Sequence, residues 1–493
     1  MNKMVINHLD KLFVTSDAAT IIRETEVHHP AAKMIAMAAK MQESEAGDGT
    51  NFVISFAGEL MQQAESLIKM GLHPSEILIG YEKGAKKCLE LLDDLACYKV
   101  NNIHDRKEMT DCIKSAIASK QYGLEGFLSS LIAEASLFAM PATDSSKFNV
   151  DSVRVQKILG GTINDSQVIH GMVVLRGSET TIHEIKNAKI AVFNTSIEMQ
   201  QGETKGTVML KNADDLLNYT RGEEAQFEKF IQGLAEAGVN VVIGSGSISE
   251  LAIHFFEKYK IFVLKLMSKW ELKRIAKSVG AVAVVKLGTP TPEELGYADE
   301  VAVREISSTK VTIFRRDQDE NKLATIVLRG STHSLLDDAE RAIDDGVNTV
   351  KSIVKDKRLV AGGGATEIHL ASLITAYAKT QPGLDQYALE KFGQAFEVIP
   401  RTLAENAGLK AEDIIAKLYA ETAKSKTAGL DVSDGSVKDM KEAFILDSWE
   451  VKSWAVKLAI DAVLTILRVD QIIMAKPAGG PKPRDAQAPD LDD

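Results

Sequence analysis

The five residues Gly47-Asp48-Gly49-Thr50-Asn51, GDGTN, form the most informative local pattern in this chain of 493 residues. Two glycines let the backbone turn tightly beside a ligand, and a helix beginning directly after them would aim its free N–H groups at an anion. An aspartate beside a phosphate needs a cation between them, and Mg²⁺ suits one carboxylate plus phosphate oxygens. The pattern is no Walker P-loop, because GxxxxGK[ST] is absent. It indicates a magnesium–phosphate site, with an ordinary glycine-rich turn capped by Thr50 as the alternative.

Helical patterns surround this loop. Apolar residues recur at steps of three and four across residues 52–70, which predicts an amphipathic helix. Residues 30–45 and 105–140 carry the same periodicity, whereas alternating apolar residues in 3–15 predict a short β-hairpin. The first block of the chain is therefore predicted to be almost entirely α-helical.

The pattern changes near residue 150. Short runs of β-branched residues alternate with helical stretches, of which Ser249–Tyr259 and Lys269–Val279 are the clearest. Strands that alternate with helices of this length indicate an α/β module, which ends near residue 325.

The last block is helical again. One stripe at helical spacing predicts a long helix, and a triple glycine at 362–364 separates it from further helices that reach about residue 469. The stripe consists of Leu336, Ala339, Ile343, Val347, Val350 and Val354. The order α, α/β, α is explained most simply by an α/β domain inserted into one helical domain built from both chain ends. Three independent domains in a row are the alternative.

Composition narrows the function. Basic residues number 58 and acidic residues 69, and the net charge of −11 argues against nucleic-acid binding through bulk charge. No apolar run approaches the roughly 18 residues of a membrane span, and the first residues lack the apolar block of a secretory signal. Cys88, Cys97 and Cys112 have no CxxC pair, so buried reduced thiols of a cytosolic protein are favoured over a metal site. The tail at 476–493 is predicted to be disordered.

Other candidate residues lie far from GDGTN in the sequence. The triple glycine suggests close approach of the backbone to a ligand, with a plain hinge as the alternative. Asp345 falls off the apolar stripe, where a solvated acidic face is the simpler interpretation, and Asp17 suits a turn or a helix N-cap. If the fold joins Asp17, Asp48 and Asp345, they could position a cation and an attacking water for nucleotide hydrolysis.

These same segments resemble the signature blocks of the group II chaperonins. GDGTN resembles the family's GDGTT, and SDAAT at 16–20 resembles its NDGAT. Further blocks are similar too: HPAAKM at 29–34, AIDDGVNTV at 342–350 and LVAGGGATEIHLA at 359–371. The ending LRVDQIIMAKPAGGPKP at 467–483 is similar to one subunit of the eukaryotic cytosolic chaperonin, TRiC/CCT.

The resemblance implies a mixed fold, with mostly α-helical equatorial and intermediate domains and an inserted α/β apical domain. The implied bounds are 1–104 and 360–493 for the equatorial ATP-binding domain, 105–171 and 326–359 for the intermediate hinge domain, and 172–325 for the apical domain. A helical protrusion is expected at about 212–237. The helix Trp270–Val279 is expected to face the folding chamber and to offer client proteins a mixed surface of Trp270, Leu272 and Ile275 with Lys273, Arg274 and Lys277. A simple core helix is the alternative.

The resemblance also implies residue roles. Asp48 would hold Mg²⁺, and Asp345 would activate the attacking water with help from Asp17. Nucleotide contacts are implied for Gly47, Gly49, Thr50, Asn51, Phe52, Ser119, Lys120, Gly362, Gly363 and, at the ribose, Asp447. The implied activity is ATP hydrolysis coupled to protein folding. It would be carried out in the cytoplasm by a hetero-oligomeric double ring of paralogous subunits. The implied clients are unfolded proteins such as actin and tubulin, and a prefoldin-like co-chaperone is the further implied partner.

Three departures from the family pattern bear on the activity. The family's GPxG phosphate motif would stand before Met1, Ala18 replaces a glycine, and Asn51 replaces a threonine. They lead us to expect weakened ATP turnover, and they favour a second hypothesis, a structural ring subunit that binds nucleotide weakly. A small-molecule kinase using GDGTN and the triple glycine is a third.

Overall fold

The first block of the chain folds into helices around two short β elements. The computed structural model describes residues 2–141, 145–198, 213–316 and 322–473, with the side chains of 213–223 excepted. The elements are β1 (Lys3–Ile6), β2 (Leu12–Thr15), α1 (Ala18–Glu24), α2 (Pro30–Ala46), α3 (Thr50–Lys69), α4 (Pro74–Asp94), β3 (Ala96–Lys99), α5 (Arg106–Ala118) and α6 (Glu125–Ala139). The predicted hairpin is confirmed as β1–β2. The predicted helix over 105–140 is two helices, separated by a loop at 119–124.

The middle block contains two sheets. Its elements are β4 (Val153–Leu159), β5 (Gln167–His170), β6 (Met172–Val174), β7 (Glu184–Phe193), α7 (Ala213–Glu236), β8 (Val241–Gly244), α8 (Glu250–Lys258), β9 (Phe262–Lys265), α9 (Lys269–Val279), β10 (Ala283–Val284), β11 (Gly296–Ile306), β12 (Thr309–Arg315) and β13 (Ala324–Gly330). A seven-stranded sheet runs β6-β12-β11-β7-β8-β9, with β10 also paired to β7, and a three-stranded sheet runs β4-β13-β5. The predicted α/β character is confirmed.

The sequence patterns missed the long antiparallel pair β11–β12. These strands mix charged residues with apolar ones, because only one part of each strand is buried. Helix α9 also corrects an expectation. Leu272 and Ile275 are buried in the core under the seven-stranded sheet and offer nothing to a client protein, whereas Trp270 is 70% exposed.

The last block supplies α10 (His333–Lys355), β14 (Arg358–Ala361), α11 (Ala365–Ala378), α12 (Asp385–Ala395), α13 (Val398–Asn406), α14 (Ala411–Thr422), β15 (Ala428–Leu430), β16 (Val437–Asp439), β17 (Leu446–Ser448) and α15 (Trp449–Leu467). The strands β17-β14-β3 form a small sheet that joins both ends of the chain. The tail prediction at 476–493 and the first residue of the expected protrusion, Asn212, lie outside the described residues.

Both chain ends share one hydrophobic core. Phe56 of α3 packs on Phe396, with ring centroids 4.3 Å apart, and edge-on against Phe392 of α12 at 6.2 Å. All three rings are fully buried, and helices α2, α3, α4, α11, α12 and α15 contribute to the same cluster. An inserted middle block therefore describes the packing better than three independent domains, although the exact domain bounds stay a prediction.

A second core forms where α10 packs against α5, α6 and the three-stranded sheet. The predicted apolar stripe of α10 is confirmed, because its residues from Leu336 to Val350 are buried there. Gly346 allows the close approach, since a Cβ at this position would lie 2.7 Å from Ile132. This packing fixes the neighbouring face of α10, which carries Asp345, beside the loop between α5 and α6.

Candidate functional site

The GDGTN segment is the connection between α2 and α3. Gly47 ends α2 at φ 74° and Gly49 is the N-cap of α3 at φ 83°, a backbone region that L-residues with side chains rarely adopt. A Cβ on Gly47 would lie 2.3 Å from Cβ of Asn348 on α10, so this turn can approach α10 only without a side chain. Gln42 of α2 fixes the turn, because its amide Nε2 donates to the carbonyl of Asp48 at 2.8 Å.

Thr50 is the first residue of α3 and not its cap, so the capped-turn alternative is wrong. Its hydroxyl Oγ1 instead donates to Asp17 Oδ1 at 3.1 Å, which joins the start of α3 to the start of α1. Asn51 joins the same two helices, because its Oδ1 accepts the backbone N–H of Ala18 at 3.1 Å. Two residues of the predicted site therefore also position α1.

Asp17 is the N-cap of α1, as the simpler interpretation held. It also belongs to a cluster of charged side chains that consists of Asp17, Asp48, Lys120 and Asp345. Its carboxylate accepts from the Thr20 backbone N–H at 2.9 Å and from the Thr20 hydroxyl at 2.7 Å. Burial opposes its ionisation, but these hydrogen bonds and the charge of Lys120 outweigh burial and hold the pKa of Asp17 below its ordinary value. Asp17 is therefore a fixed negative charge at neutral pH.

Lys120 stands at the centre of the cluster. Its ammonium lies 3.2 Å from Asp48 Oδ1 and contacts Asp345 Oδ2. The next residue, Gln121, anchors the α5–α6 loop to α10. Its Nε2 donates to Asp338 Oδ2 at 2.5 Å, and Asp338 lies two helical turns before Asp345. Ser119 contacts neither carboxylate, and its hydroxyl donates to the Ala116 carbonyl.

Asp345 does not lie on a solvated acidic face, which corrects the simpler interpretation. Its side chain is 14% exposed and faces Lys120. Burial, together with the negative charges of Asp48 and Asp17, raises the pKa of Asp345 to about 8, although Lys120 opposes the rise. Burial also disfavours the charge of Lys120, but its two carboxylate partners outweigh burial and raise the pKa of that lysine.

A cleft opens beside this cluster. Its walls come from α3, α5, α10, β17 and α15, and include Asp48, Gly49, Phe52, Ser115, Thr349, Asp447, Ser448 and Lys452. Phe52 forms part of the apolar wall, and Asp447 supplies a carboxylate at the other end of the sequence. A second cavity shares Asp17 and Asp345 and is otherwise lined mainly by charged residues.

The triple glycine lies at the edge of this arrangement. Gly363 has φ 62°, and a Cβ there would lie 2.9 Å from Met440 Sδ and 3.0 Å from the Leu430 carbonyl. Gly362 N–H donates to the Ile445 carbonyl at 3.0 Å, one residue before Leu446 in the cleft wall. The glycines themselves are outside the described cleft lining, so their predicted nucleotide contact stays a prediction.

Sequence reasoning missed Lys452 and Glu367. Lys452 Nζ lies 2.6 Å from Glu367 Oε1 and 3.0 Å from Asp447 Oδ2. A signal was present, because Lys452 is four and seven residues before Val456 and Ala459, both of which are buried. A lysine on the apolar stripe of a helix requires a buried partner.

The residues of the cleft fit a magnesium nucleotide. Within the described ranges no group of three metal-ligating side chains occurs, and Mg²⁺ bound through phosphates needs one or two carboxylates. Within the described residues, the backbone N–H groups of Gly49 and Thr50 at the start of α3 donate to no other backbone carbonyl, so they can bind an anion. The hydroxyl of Ser448, in the cleft wall, is buried and finds no hydrogen-bond partner within residues that the structure describes. A polar ligand in the cleft would supply the hydrogen-bond partner that the Ser448 hydroxyl lacks.

Two further expectations concern cysteines and membranes. Cys88, Cys97 and Cys112 are free thiols, and two of them are buried, as predicted. Burial raises the pKa of Cys112 to about 12, so this thiol stays protonated. Among the helices of the described ranges, none is both long and apolar enough to span a bilayer.

Residues 1–477 match the TCP-1/cpn60 chaperonin family. The chain belongs to this family, which confirms the resemblance of its signature blocks. Within the family it is similar to T-complex protein 1 subunit theta: it is 52% identical to the Homo sapiens protein over 486 residues, which cover 98% of this chain and 88% of the relative. The Dictyostelium discoideum subunit theta is 51% identical over 494 residues, with 100% and 92% coverage. The Arabidopsis thaliana subunit theta is 50% identical over 491 residues, with 99% and 89% coverage.

Proposed function

We propose that this chain is the theta-type subunit of a hetero-oligomeric chaperonin ring of the TRiC/CCT kind and that the cleft beside Lys120 binds and hydrolyses ATP. One observation carries the proposal. Asp17, Asp48 and Asp345, which are spread over more than 300 residues of sequence, converge with Lys120 at the start of α3. Chaperonins as a family depend on ATP, and the similarity to subunit theta over 98% of this chain supports the same activity here.

Each carboxylate has a separate part in the proposed reaction. Asp48 would hold Mg²⁺, which when bound neutralises charge on the phosphates. Asp345 would accept a proton from the attacking water, for which a carboxyl with a raised pKa is well matched near neutral pH. Asp17, with its lowered pKa, stays charged and fixes Thr50 at the start of α3.

The remaining residues bind and orient the nucleotide in this proposal. Gly49, Thr50 and Asn51 would meet the phosphates at the helix N-terminus, Phe52 would line the apolar wall, and Asp447 would accept from the sugar hydroxyls. Lys120 joins the α5–α6 loop to two of the carboxylates, so this loop would respond to a change of charge in the cleft. Roles for Gly47, Ser119, Gly362 and Gly363 are proposed on the family pattern alone.

The proposal extends to the whole subunit. The helices of both chain ends would form the equatorial domain, α5, α6, α10 and the three-stranded sheet the intermediate domain, and the seven-stranded sheet the apical domain. Helix α10 carries Asp345 and packs on the intermediate core, which supports a coupling between hydrolysis and movement of the apical domain. The apolar residues Met267, Trp270 and Val285 are 67–70% exposed near the seven-stranded sheet and would contact unfolded clients. Cytosolic clients such as actin and tubulin, and a prefoldin-like co-chaperone, follow from the family resemblance.

Asp345→Ala in the assembled ring, with the nucleotide sites of the other subunits silenced, tests the proposal. We expect ATP turnover to fall about 100-fold or more, which is the usual contribution of a general base. Asp461→Ala is the matched control, because this aspartate of α15 is exposed, lines neither cavity and should leave turnover unchanged.

The outcome also decides between the two hypotheses for this subunit. A structural subunit that does not hydrolyse ATP is favoured by the departures Ala18 and Asn51, and by the use of the Asn51 side chain to hold α1. Such a subunit would give no turnover in the parent chain and therefore no effect of Asp345→Ala.

A further inference from the structure

Lys452, in the first turns of α15, forms an ion-pair triad with two carboxylates. Its side chain is 13% exposed, and its ammonium lies 2.6 Å from Glu367 Oε1 and 3.0 Å from Asp447 Oδ2. The Glu367 side chain is only 2% exposed, whereas that of Asp447 is 42% exposed. The triad therefore connects the buried first turn of α11 with an accessible carboxylate on β17.

Stability alone is a weak explanation for this triad. Removing a lysine and a glutamate from water costs several kcal/mol per ion, and an apolar pair of similar volume often gives equal or higher stability. The second oxygen of Glu367, Oε2, is buried and has no hydrogen-bond partner in the described part of the chain. An arrangement that leaves a buried carboxylate oxygen unpaired is not optimised for folding, which favours a role in the neighbouring cleft.

Two members of the triad lie in the wall of the cleft. Asp447 and Lys452 both line it, and Lys452 Nζ lies 5.0 Å from the centroid of the Phe52 ring in the same wall. Lys452 binds Asp447 through Oδ2 alone. The other oxygen, Oδ1, makes no hydrogen bond or ion pair within the described ranges, so it is available as an acceptor for a hydroxyl group of a ligand.

We propose that Lys452 is a positioning residue that fixes the Asp447 carboxylate for recognition of the nucleotide sugar. The inference rests on the proposed function, because it assumes that a nucleotide occupies this cleft. Glu367 binds Lys452 on the buried side of the triad. Glu367 lies in the first turn of α11, the helix that begins directly after Gly364. Sugar recognition at Asp447 is therefore linked to the segment that follows the triple glycine.

The double variant Lys452→Met/Glu367→Gln tests this role. Removal of the lysine alone would leave a buried unpaired carboxylate and endanger folding, and the second substitution neutralises that carboxylate. Isothermal titration of the full-length chain with Mg²⁺ and ATP, 2′-deoxy-ATP or 3′-deoxy-ATP measures the contribution of each hydroxyl. In the parent chain we expect loss of the recognised hydroxyl to weaken binding about tenfold, as for a hydrogen bond to a charged group.

In the double variant we expect ATP to bind about tenfold more weakly and the difference between ATP and its deoxy analogues to disappear. Lys457→Met is the matched control, because Lys457 lies on the same helix, contacts the Trp454 ring and is outside the described cleft lining. It should retain the parent's affinities. A merely structural role for Lys452 would change stability but not the discrimination between sugars.

The other outcomes are also decisive. A folded double variant that still discriminates between the sugars overturns the inference and leaves the proposed function intact. If the double variant does not fold, Lys452→Arg, which keeps the charge but changes the donor geometry, should reduce the discrimination, and unchanged discrimination overturns the inference. A parent chain that binds ATP without sugar discrimination also overturns it, whereas a parent chain that binds no ATP overturns the proposed function as well.

Discussion

The charge balance around Lys120 is the central feature at the scale of single residues. Three aspartates face one ammonium, so the cluster carries more negative than positive charge when all of them are ionised. The environment distributes this excess unequally. Hydrogen bonds from Thr20 stabilise the charge of Asp17, whereas burial disfavours the charge of Asp345 and raises its pKa. This difference is what the proposed function uses when it assigns the two carboxylates different parts in hydrolysis.

This difference predicts an unusual pH dependence for Asp345→Asn. Asp345 titrates near 3.8 in the unfolded chain and near 8 in the folded one, so the folded state binds more protons between these values. The parent chain therefore loses stability as pH rises through this window. Asparagine does not titrate, so the variant should gain stability relative to the parent from pH 5 to pH 8, by on the order of 1 kcal/mol or more.

Urea denaturation of the nucleotide-free chain at pH 5, 6, 7 and 8 measures this gain. Asp461→Asn, at an exposed position of α15, is the control and should give a constant difference. A difference for Asp345→Asn that stays constant or falls with rising pH would show that burial does not disfavour this charge.

Residue patterns anticipated part of this site. Asp48 was a candidate from the GDGTN pattern, and Asp17 and Asp345 were candidates on the condition that the fold joined them to it; the structure does bring the three together around Lys120 and Thr50. Lys452 and Glu367 were missed as a pair. The place of Lys452 on the apolar stripe of α15 indicates a buried partner but does not identify it, and only tertiary packing brings the two side chains within 2.6 Å.

At the scale of elements, glycines determine how closely the loops approach their neighbours. Gly47 and Gly71 both follow helices and both have positive φ, 74° and 99°. A Cβ on Gly47 would collide with Asn348 at 2.3 Å, whereas a Cβ on Gly71 would have nothing within 4 Å. A side chain at Gly71 would therefore introduce backbone strain alone, whereas a side chain at Gly47 would add a steric conflict with Asn348.

Alanine at these positions should have different effects. Gly71→Ala should cost about 1–2 kcal/mol of unfolding free energy from the left-handed conformation alone. Gly47→Ala should cost roughly a further 1–3 kcal/mol, because the α2–α3 connection must move away from α10, and it should also weaken ATP binding. Chemical denaturation and nucleotide titration of both variants measure this, and equal costs would contradict the close contact with Asn348.

Elements with one dominant period were predictable and elements with mixed patterns were not. The stripe from Leu336 to Val350 predicted α10 correctly, because a long helix with one buried face has a strong 3.6-residue period. Strands β11 and β12 were missed, because charged residues interrupt their alternation. Periodicity alone missed the break at 119–124, in which only Ser119 and Gly123 are residues typical of turns, whereas the family resemblance implied a nucleotide contact at Ser119 and Lys120.

At the scale of the whole molecule, the site depends on the joining of both chain ends. Asp48 comes from the first block, Asp345 from α10 and Asp447 from the last block, and the shared core around Phe56 and Phe392 holds the first and last blocks together. The order α, α/β, α suggested this arrangement without excluding three separate domains. Only the packing of α3 against α12 and α15 distinguishes between them, because periodicity does not identify the partner of a buried face.

The proposed function requires that the cleft of this chain binds a nucleotide. A density map of the assembled ring with saturating ADP and Mg²⁺ tests it most directly, and the paralogous subunits in the same map are the internal control. We expect nucleotide density in this subunit's cleft, with phosphates at Gly49 and Thr50 and the sugar at Asp447. An empty cleft here, in a map where the neighbouring subunits hold nucleotide, would contradict the claim and identify this chain as a structural subunit of the ring.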